Sequence, residues 1–376
     1  MRDLVDTAAD RLRELTARGT TASDAPRAAR IEAGVPVYDS VALADDLIGR
    51  ARPALLAEWA DVLGRGPGAL ALLGAVNDPD ALDAATRAFE TIIAAEAGQG
   101  GADHFATAGA NARIWNAAQK LCLADPATFA RYHGNVAVAA VCEAWLGPGY
   151  QVTAQVNLVR PGGTAQQPHR DYHLGFLSAV QAAAFPAHAH ALSPMLTLQG
   201  AIAHVDMPVE SGPTKLLPWS QHLDGGYIAM HRPDVRAVFE ERFVQLPLAK
   251  GDALFFNPAL LHAGGENRTR DVQRMANLLQ VSSSMGRAME ALDREAMCRA
   301  LYPALLDADL PEARVQAAIA ACAEGYAFPT NLDTDPPEDG LAPPSQADVM
   351  RAALAERLPP DIFAAHLDAH AHRRRP

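Results

Sequence analysis

The sequence predicts an α+β chain, mainly β at its core with helical additions, and three observations carry that prediction. Between about 150 and 283, short apolar or alternating runs are separated by turns containing Gly and Pro, as in an antiparallel sandwich or barrel. The flanking stretches are rich in alanine and leucine, with charges at helical spacing. With 376 residues and 49% hydrophobic content, the chain can bury one substantial interior with additions, without requiring two independent cores.

Taken in order, helices are expected over 1–19, about 41–63 and 80–97. They are separated by Gly64-Arg65-Gly66-Pro67-Gly68 and by Gly98-Gln99-Gly100-Gly101. A further helix pair is expected in 112–145. The run from Tyr150 to Arg160 then alternates apolar and polar residues until Pro161-Gly162-Gly163-Thr164 breaks it. Residues 195–205 read as a buried strand followed by the turn Glu210-Ser211-Gly212-Pro213, and 214–222 as a short strand closed by Pro218. Residues 243–248 precede the tight turn Lys250-Gly251-Asp252 into a strand over 253–257, and 274–282 alternates clearly. Together these strands predict a double-stranded β-helix, a jelly roll of the cupin type. Later helices are expected at 286–301, 312–325 and near 346–356, with a loop at 329–344. One catalytic domain is thus expected: a mostly helical part over 1–148, the jelly-roll core with a metal site over 149–284, and a helical extension over 285–376. The additions should pack on one face of the sheet; they either cover the site or form a homodimer interface.

Within the core lies Gln166-Gln167-Pro168-His169-Arg170-Asp171-Tyr172-His173, with His262 far downstream in Leu260-Leu261-His262-Ala263-Gly264-Gly265. In extended chain, residues i and i+2 point to one face, so His169 and Asp171 can reach one ion while Arg170 points away. Two imidazoles and a carboxylate occupy one face of an octahedral metal and leave the other open, as non-haem Fe(II) needs for oxygen activation. His173 is a rival ligand by the same spacing. His204-x-Asp206 repeats the motif at the end of an apolar strand, where a structural or pocket-lining role is expected. His188 and His190 lie in a Pro- and Ala-rich loop without a carboxylate.

The ordered set of Pro161-Gly162, His169-x-Asp171, Asp206, Ser211-Gly212-Pro213, Pro218-x-Ser220, Gly251-Asp252, His262, Asn267 and a following arginine resembles the phytanoyl-CoA dioxygenase family, over roughly 125–284. The resemblance implies Fe(II), 2-oxoglutarate and O2 as cofactor and cosubstrates. It makes His169, Asp171 and His262 the catalytic metal ligands, with oxidation of a small molecule and release of succinate and CO2. Retention of Asp171, which is a small residue in related halogenases, favours hydroxylation over halogenation. Three features depart from the family pattern: Pro218-Trp219-Ser220-Gln221-His222 replaces the usual Pro-Gly-Ser-His element, Gly264 replaces a small hydroxyl residue, and position 273 is Gln273 where an arginine is usual.

The far carboxylate of 2-oxoglutarate needs a buried cation, which a planar guanidinium supplies with two parallel hydrogen bonds. Arg268 and Arg270 lie in a polar loop; Arg274 opens an apolar strand, where an unpaired charge is costly, and is the expected partner. Gln155, Asn157 and Gln167 are the expected further contacts to 2-oxoglutarate.

A net charge of −12 argues against nucleic-acid binding. No membrane span is evident, and the N-terminal residues lack a signal-peptide core. Cys122, Cys142, Cys298 and Cys322 form no C-x-x-C pair and read as buried free thiols; a cytoplasmic protein is expected. Arg160, Arg170 and Lys215 are too scattered to suggest the phosphates of an acyl-CoA, so a small metabolite or natural-product intermediate is the expected substrate. The alternatives are a cupin-like binding or regulatory protein without turnover, and a metal-dependent oxygenase that does not use 2-oxoglutarate.

Overall fold

The computed structural model describes residues 6–96, 111–337, 339 and 341–375. The predicted glycine-rich break at 98–101 lies outside them, as do residues 1–5 and 97 of two predicted helices. The strands are β1 (Arg30–Glu32), β2 (Val35–Asp39), β3 (Ala69–Leu73), β4 (Asn111–Ile114), β5 (Gln151–Val159), β6 (Thr197–Ala203), β7 (Lys215–Leu216), β8 (Ala253–Phe256), β9 (His262–Ala263) and β10 (Arg274–Ser282).

Eight of them form one sheet in the order β1-β2-β3-β8-β6-β10-β5-β4, antiparallel except between β2 and β3. A smaller layer faces it. β7 pairs with β9, and single bridges extend the layer from His262 to His169 and from Leu216 to Val244. Side chains such as Met207, Leu216, Leu246, Leu254, Phe256 and Leu260 fill the space between the layers. This is the expected jelly roll within an α+β chain.

Helices cover the outer face of the large sheet, among them Arg52–Gly64, Pro79–Glu96, Val136–Leu146, Arg294–Asp307 and Glu312–Cys322, through the largest apolar cluster of the molecule. β6 is therefore enclosed on both faces and every residue in it is buried, which explains its nearly continuous apolar run. Local chemistry sets the helix ends. The Asn135 side chain accepts the Val138 amide at the start of Val136–Leu146, and Asp125 caps Pro126–His133 through the Thr128 amide. Phe129 on the latter helix is fully buried; truncating it to alanine would cost about 3–5 kcal/mol.

Several elements differ from the sequence reading. The part before residue 149 is mostly helical, yet it also supplies β1 to β4. β3 (Ala-Leu-Ala-Leu-Leu) and β4 (Asn-Ala-Arg-Ile) have weak β propensity, and they form because they pair with β8 and β5, far along the chain. Strand β4 and three helices replace the helix pair expected in 112–145. The strand expected over 214–222 shrinks to Lys215–Leu216, because Trp219 adopts φ +71° and the chain turns. Residues 286–293 are not helical; Asp293 caps a helix that begins at Arg294. A helix at Pro360–Arg373 was not foreseen.

Candidate active site

His169 and His262 face one another as a narrow antiparallel pair, and Asp171 follows, its amide bonded to the Pro258 carbonyl at 3.0 Å. Asp171 Oδ2 lies 3.9 Å from His169 Nε2 and 3.8 Å from His262 Nε2. One ligand atom from each residue falls within 4.8 Å of the other two, the only such metal-competent group among the described residues. Nδ1 of His169 faces the Gln167 carbonyl at 2.8 Å, and Nδ1 of His262 faces the Leu260 carbonyl at 2.9 Å. Each carbonyl requires Nδ1 to carry the proton, which leaves the Nε2 lone pairs directed at Asp171.

Burial and the neighbouring His262 lower the pKa of His169. Burial pushes Asp171 the other way, but interaction with His262 and His169 and a hydrogen bond from Gln199 outweigh it and hold the carboxyl at about 2. With each Nδ1 turned to a backbone carbonyl, the cluster presents two imidazole Nε2 atoms and one carboxylate. That donor set fits a divalent iron ion.

Arg170, between the two ligands, points away as expected. Its buried guanidinium donates to the Ser220 carbonyl and lies over the Tyr227 ring, whose hydroxyl donates to the Asp171 carbonyl at 3.0 Å. The rival ligands lie elsewhere. His173 lies tilted against the Tyr172 ring with Nδ1 3.5 Å from the Ser193 hydroxyl. His204 is buried between Thr86 and Tyr132, a structural role. His188 and His190 sit on a short helix, Ala187–Leu192, not in a loop.

A cavity of about 550 Å³ opens over the cluster. Arg274 reaches it from the start of β10 and is 9% exposed, whereas Arg268 and Arg270 are exposed. Arg274 Nη1 donates to the carbonyls of Ser211 and Gly265 at 3.1 and 3.2 Å; among the described residues no carboxylate pairs with it. Burial lowers its pKa to about 10, so it stays cationic at neutral pH.

Gln155 and Asn157 enter the same cavity from β5, and Gln167 stands at its rim with an exposed side chain. Gln155 Oε1 accepts a bond from Arg113 at 2.9 Å. Of the cations considered for an acyl-CoA, Arg170 is engaged beneath the site and Lys215 pairs with Glu240.

Sequence reading missed Gln199, Gln280 and Arg113, which also line the cavity. For Gln199 the available signal was polarity, since it is the lone amide of the largely apolar β6; Gln280, which shares β10 with Asn277, stands opposite it in register. Arg113 lies on a strand that was read as helix.

Residues 65–276, more than half of the chain, match the family profile described as phytanoyl-CoA dioxygenase. The chain belongs to this family. Dioxygenase trt7 of Aspergillus terreus is 32% identical over 114 residues, covering 30% of this chain and 34% of the relative; the chain thus spans about a third of that relative's length. Among solved structures, the non-haem alpha-ketoglutarate-dependent epimerase SnoN from nogalamycin biosynthesis is similar at 22% identity and TM-score 0.43, covering 62% of this chain and 84% of SnoN. The carbocyclase SnoK from the same biosynthesis is similar at 19% identity and TM-score 0.42, covering 60% of this chain and 83% of SnoK. Residues 65–276 thus carry the phytanoyl-CoA dioxygenase family domain, and the His169–Asp171–His262 cluster within them has a donor set that suits iron. Among the described residues no helix is long and apolar enough to cross a membrane.

Proposed function

We propose that the protein is a single-domain dioxygenase that hydroxylates a small molecule at one C–H bond, converting O2 and 2-oxoglutarate to succinate and CO2 as the substrate gains one oxygen atom. His169, Asp171 and His262 hold iron through Nε2, a carboxylate oxygen and Nε2. Arg274 binds the far carboxylate of 2-oxoglutarate, with Gln155, Asn157 and Gln167 as polar contacts around the cosubstrate. When bound, iron supplies the site at which 2-oxoglutarate and oxygen react. The chain's own residues orient the imidazoles through the Gln167 and Leu260 carbonyls and hold a cation where an anionic cosubstrate must end.

One observation carries this reading: a buried guanidinium with no carboxylate partner among the described residues lines the same cavity as the three ligands. Leaving such a charge unmatched is costly, so the cavity calls for an anion. Retention of Asp171 supports hydroxylation. Anaerobic titration of the protein with Fe(II) and 2-oxoglutarate tests the proposal: a metal-to-ligand charge-transfer band in the visible is expected, and succinate should form once oxygen and a substrate are added. Correctly folded protein that gives neither band nor succinate overturns it.

A further inference from the structure

Gln199 stands in the middle of β6, 3% exposed, with one face toward the cavity. Its Nε2 donates to Asp171 Oδ2 at 2.6 Å and lies 3.3 Å from the Oε1 of Gln280, its cross-strand partner on β10. The orientation of this amide follows from chemistry. An ionised carboxylate only accepts, so the nitrogen must face Asp171. Gln199 Oε1 is then left buried without a partner among the described groups. A glutamine serving only the sheet would be expected to satisfy both ends of its amide.

Asp171 needs such a partner. The segment 169–171 belongs to no regular strand; the bridge at His169, the Asp171 amide on the Pro258 carbonyl and the Tyr227 hydroxyl on the Asp171 carbonyl fix its backbone but leave the Asp171 carboxylate unheld. The histidines have their own backbone carbonyls to fix them. Among the described side chains Gln199 alone hydrogen-bonds the Asp171 carboxylate.

We infer that Gln199 is a positioning residue for this reaction: it holds the Asp171 carboxylate in register with His169 and His262. The inference rests on the iron-site reading above. Gln280 steadies the amide from behind, placing the Asp171–Gln199–Gln280 chain across two strands of the large sheet.

The test is anaerobic Fe(II) titration at saturating 2-oxoglutarate, followed by the charge-transfer band, on the wild-type protein and on Gln199→Leu, with thermal melts to verify folding. Outer-shell partners of metal ligands typically affect affinity by about 10–100-fold, and a weakening in that range is expected, with a displaced band at saturation. Gln280→Leu should weaken binding less. If Gln199→Leu fails to fold, Gln199→Asn keeps an amide in the strand but withdraws it by one methylene, and the same weakening is expected. A folded variant of either kind with wild-type iron affinity and an unmoved band overturns the inference while leaving the iron site standing. Absence of the band from wild-type protein overturns both.

Discussion

The carbonyl of Ser220 accepts a 2.5 Å hydrogen bond from the buried guanidinium of Arg170, and the Ser220 hydroxyl accepts the Leu261 amide at 2.8 Å. One serine therefore ties down the residue between the first two candidate ligands and the residue just before the third. This gives a physical role to Pro218-x-Ser220, which the sequence offers only as part of an ordered pattern.

Space around Arg170 is as confined as its bonding. A Cβ added at Gly226 would lie 2.0 Å from Arg170 Cζ. Gly226→Ala is therefore expected to cost about 1–3 kcal/mol and to lower iron affinity as Arg170 is displaced. Gly19→Ala, which meets nothing within 4 Å, serves as the neutral reference in denaturant melts. Equal stability of the two variants would contradict the packing described.

Arg274 should separate cosubstrate binding from metal binding. Truncating one member of a buried charged pair costs about 2–5 kcal/mol, so Arg274→Leu should raise the KM for 2-oxoglutarate by roughly 30-fold or more, with Fe(II) affinity nearly retained. Unchanged 2-oxoglutarate affinity, measured by anaerobic titration, would remove Arg274 from that role.

Chelation gives a simpler check on the ligands. Treatment with a strong chelator should abolish succinate formation and readdition of Fe(II) should restore it, whereas Asp171→Ala should stay inactive at any iron concentration. Activity that survives chelation, or iron-dependent succinate release by Asp171→Ala, contradicts the assignment of Asp171 as a ligand.

Two histidines outside the site predict acid lability. Burial pulls the pKa of His133 and His204 down to about 3 from an ordinary 6.5, for His204 with some help from Lys250 and His133. Both stay neutral in the folded protein, while the unfolded chain takes up protons below about pH 6.5. Stability present above that pH should then be lost as pH falls toward 3, by about 1.4 kcal/mol per pH unit for each histidine. Denaturant midpoints at pH 7.5, 6.5 and 5.5 should fall slightly over the first interval and several-fold more over the second; a flat profile to pH 5.5 contradicts the burial.

The strands whose sequences alternate clearly, β5 and β10, were legible to within a residue or so, because successive side chains point to opposite faces, although both faces are covered. The geometry of His169, Asp171 and His262 was legible as well, and so was the contrast between buried Arg274 and exposed Arg268 and Arg270. What escaped was set by distant partners. β3 is a strand only because β8 and β2 lie beside it, and its alanines and leucines carry no such instruction themselves. Gln199 escaped for a related reason: its meaning comes from Asp171, which comes within 2.6 Å only once the smaller layer closes over the sheet.

The two imidazoles take their tautomer from carbonyls two residues earlier in their own chain. Backbone oxygens are identical whatever side chain accompanies them, so exchanging side chains at 167 or 260 leaves the proton on Nδ1. The third ligand is held by a side chain instead. Apart from the three ligands themselves, the inherited information that keeps this centre in order is thus concentrated in very few codons, and its mutational target is correspondingly narrow.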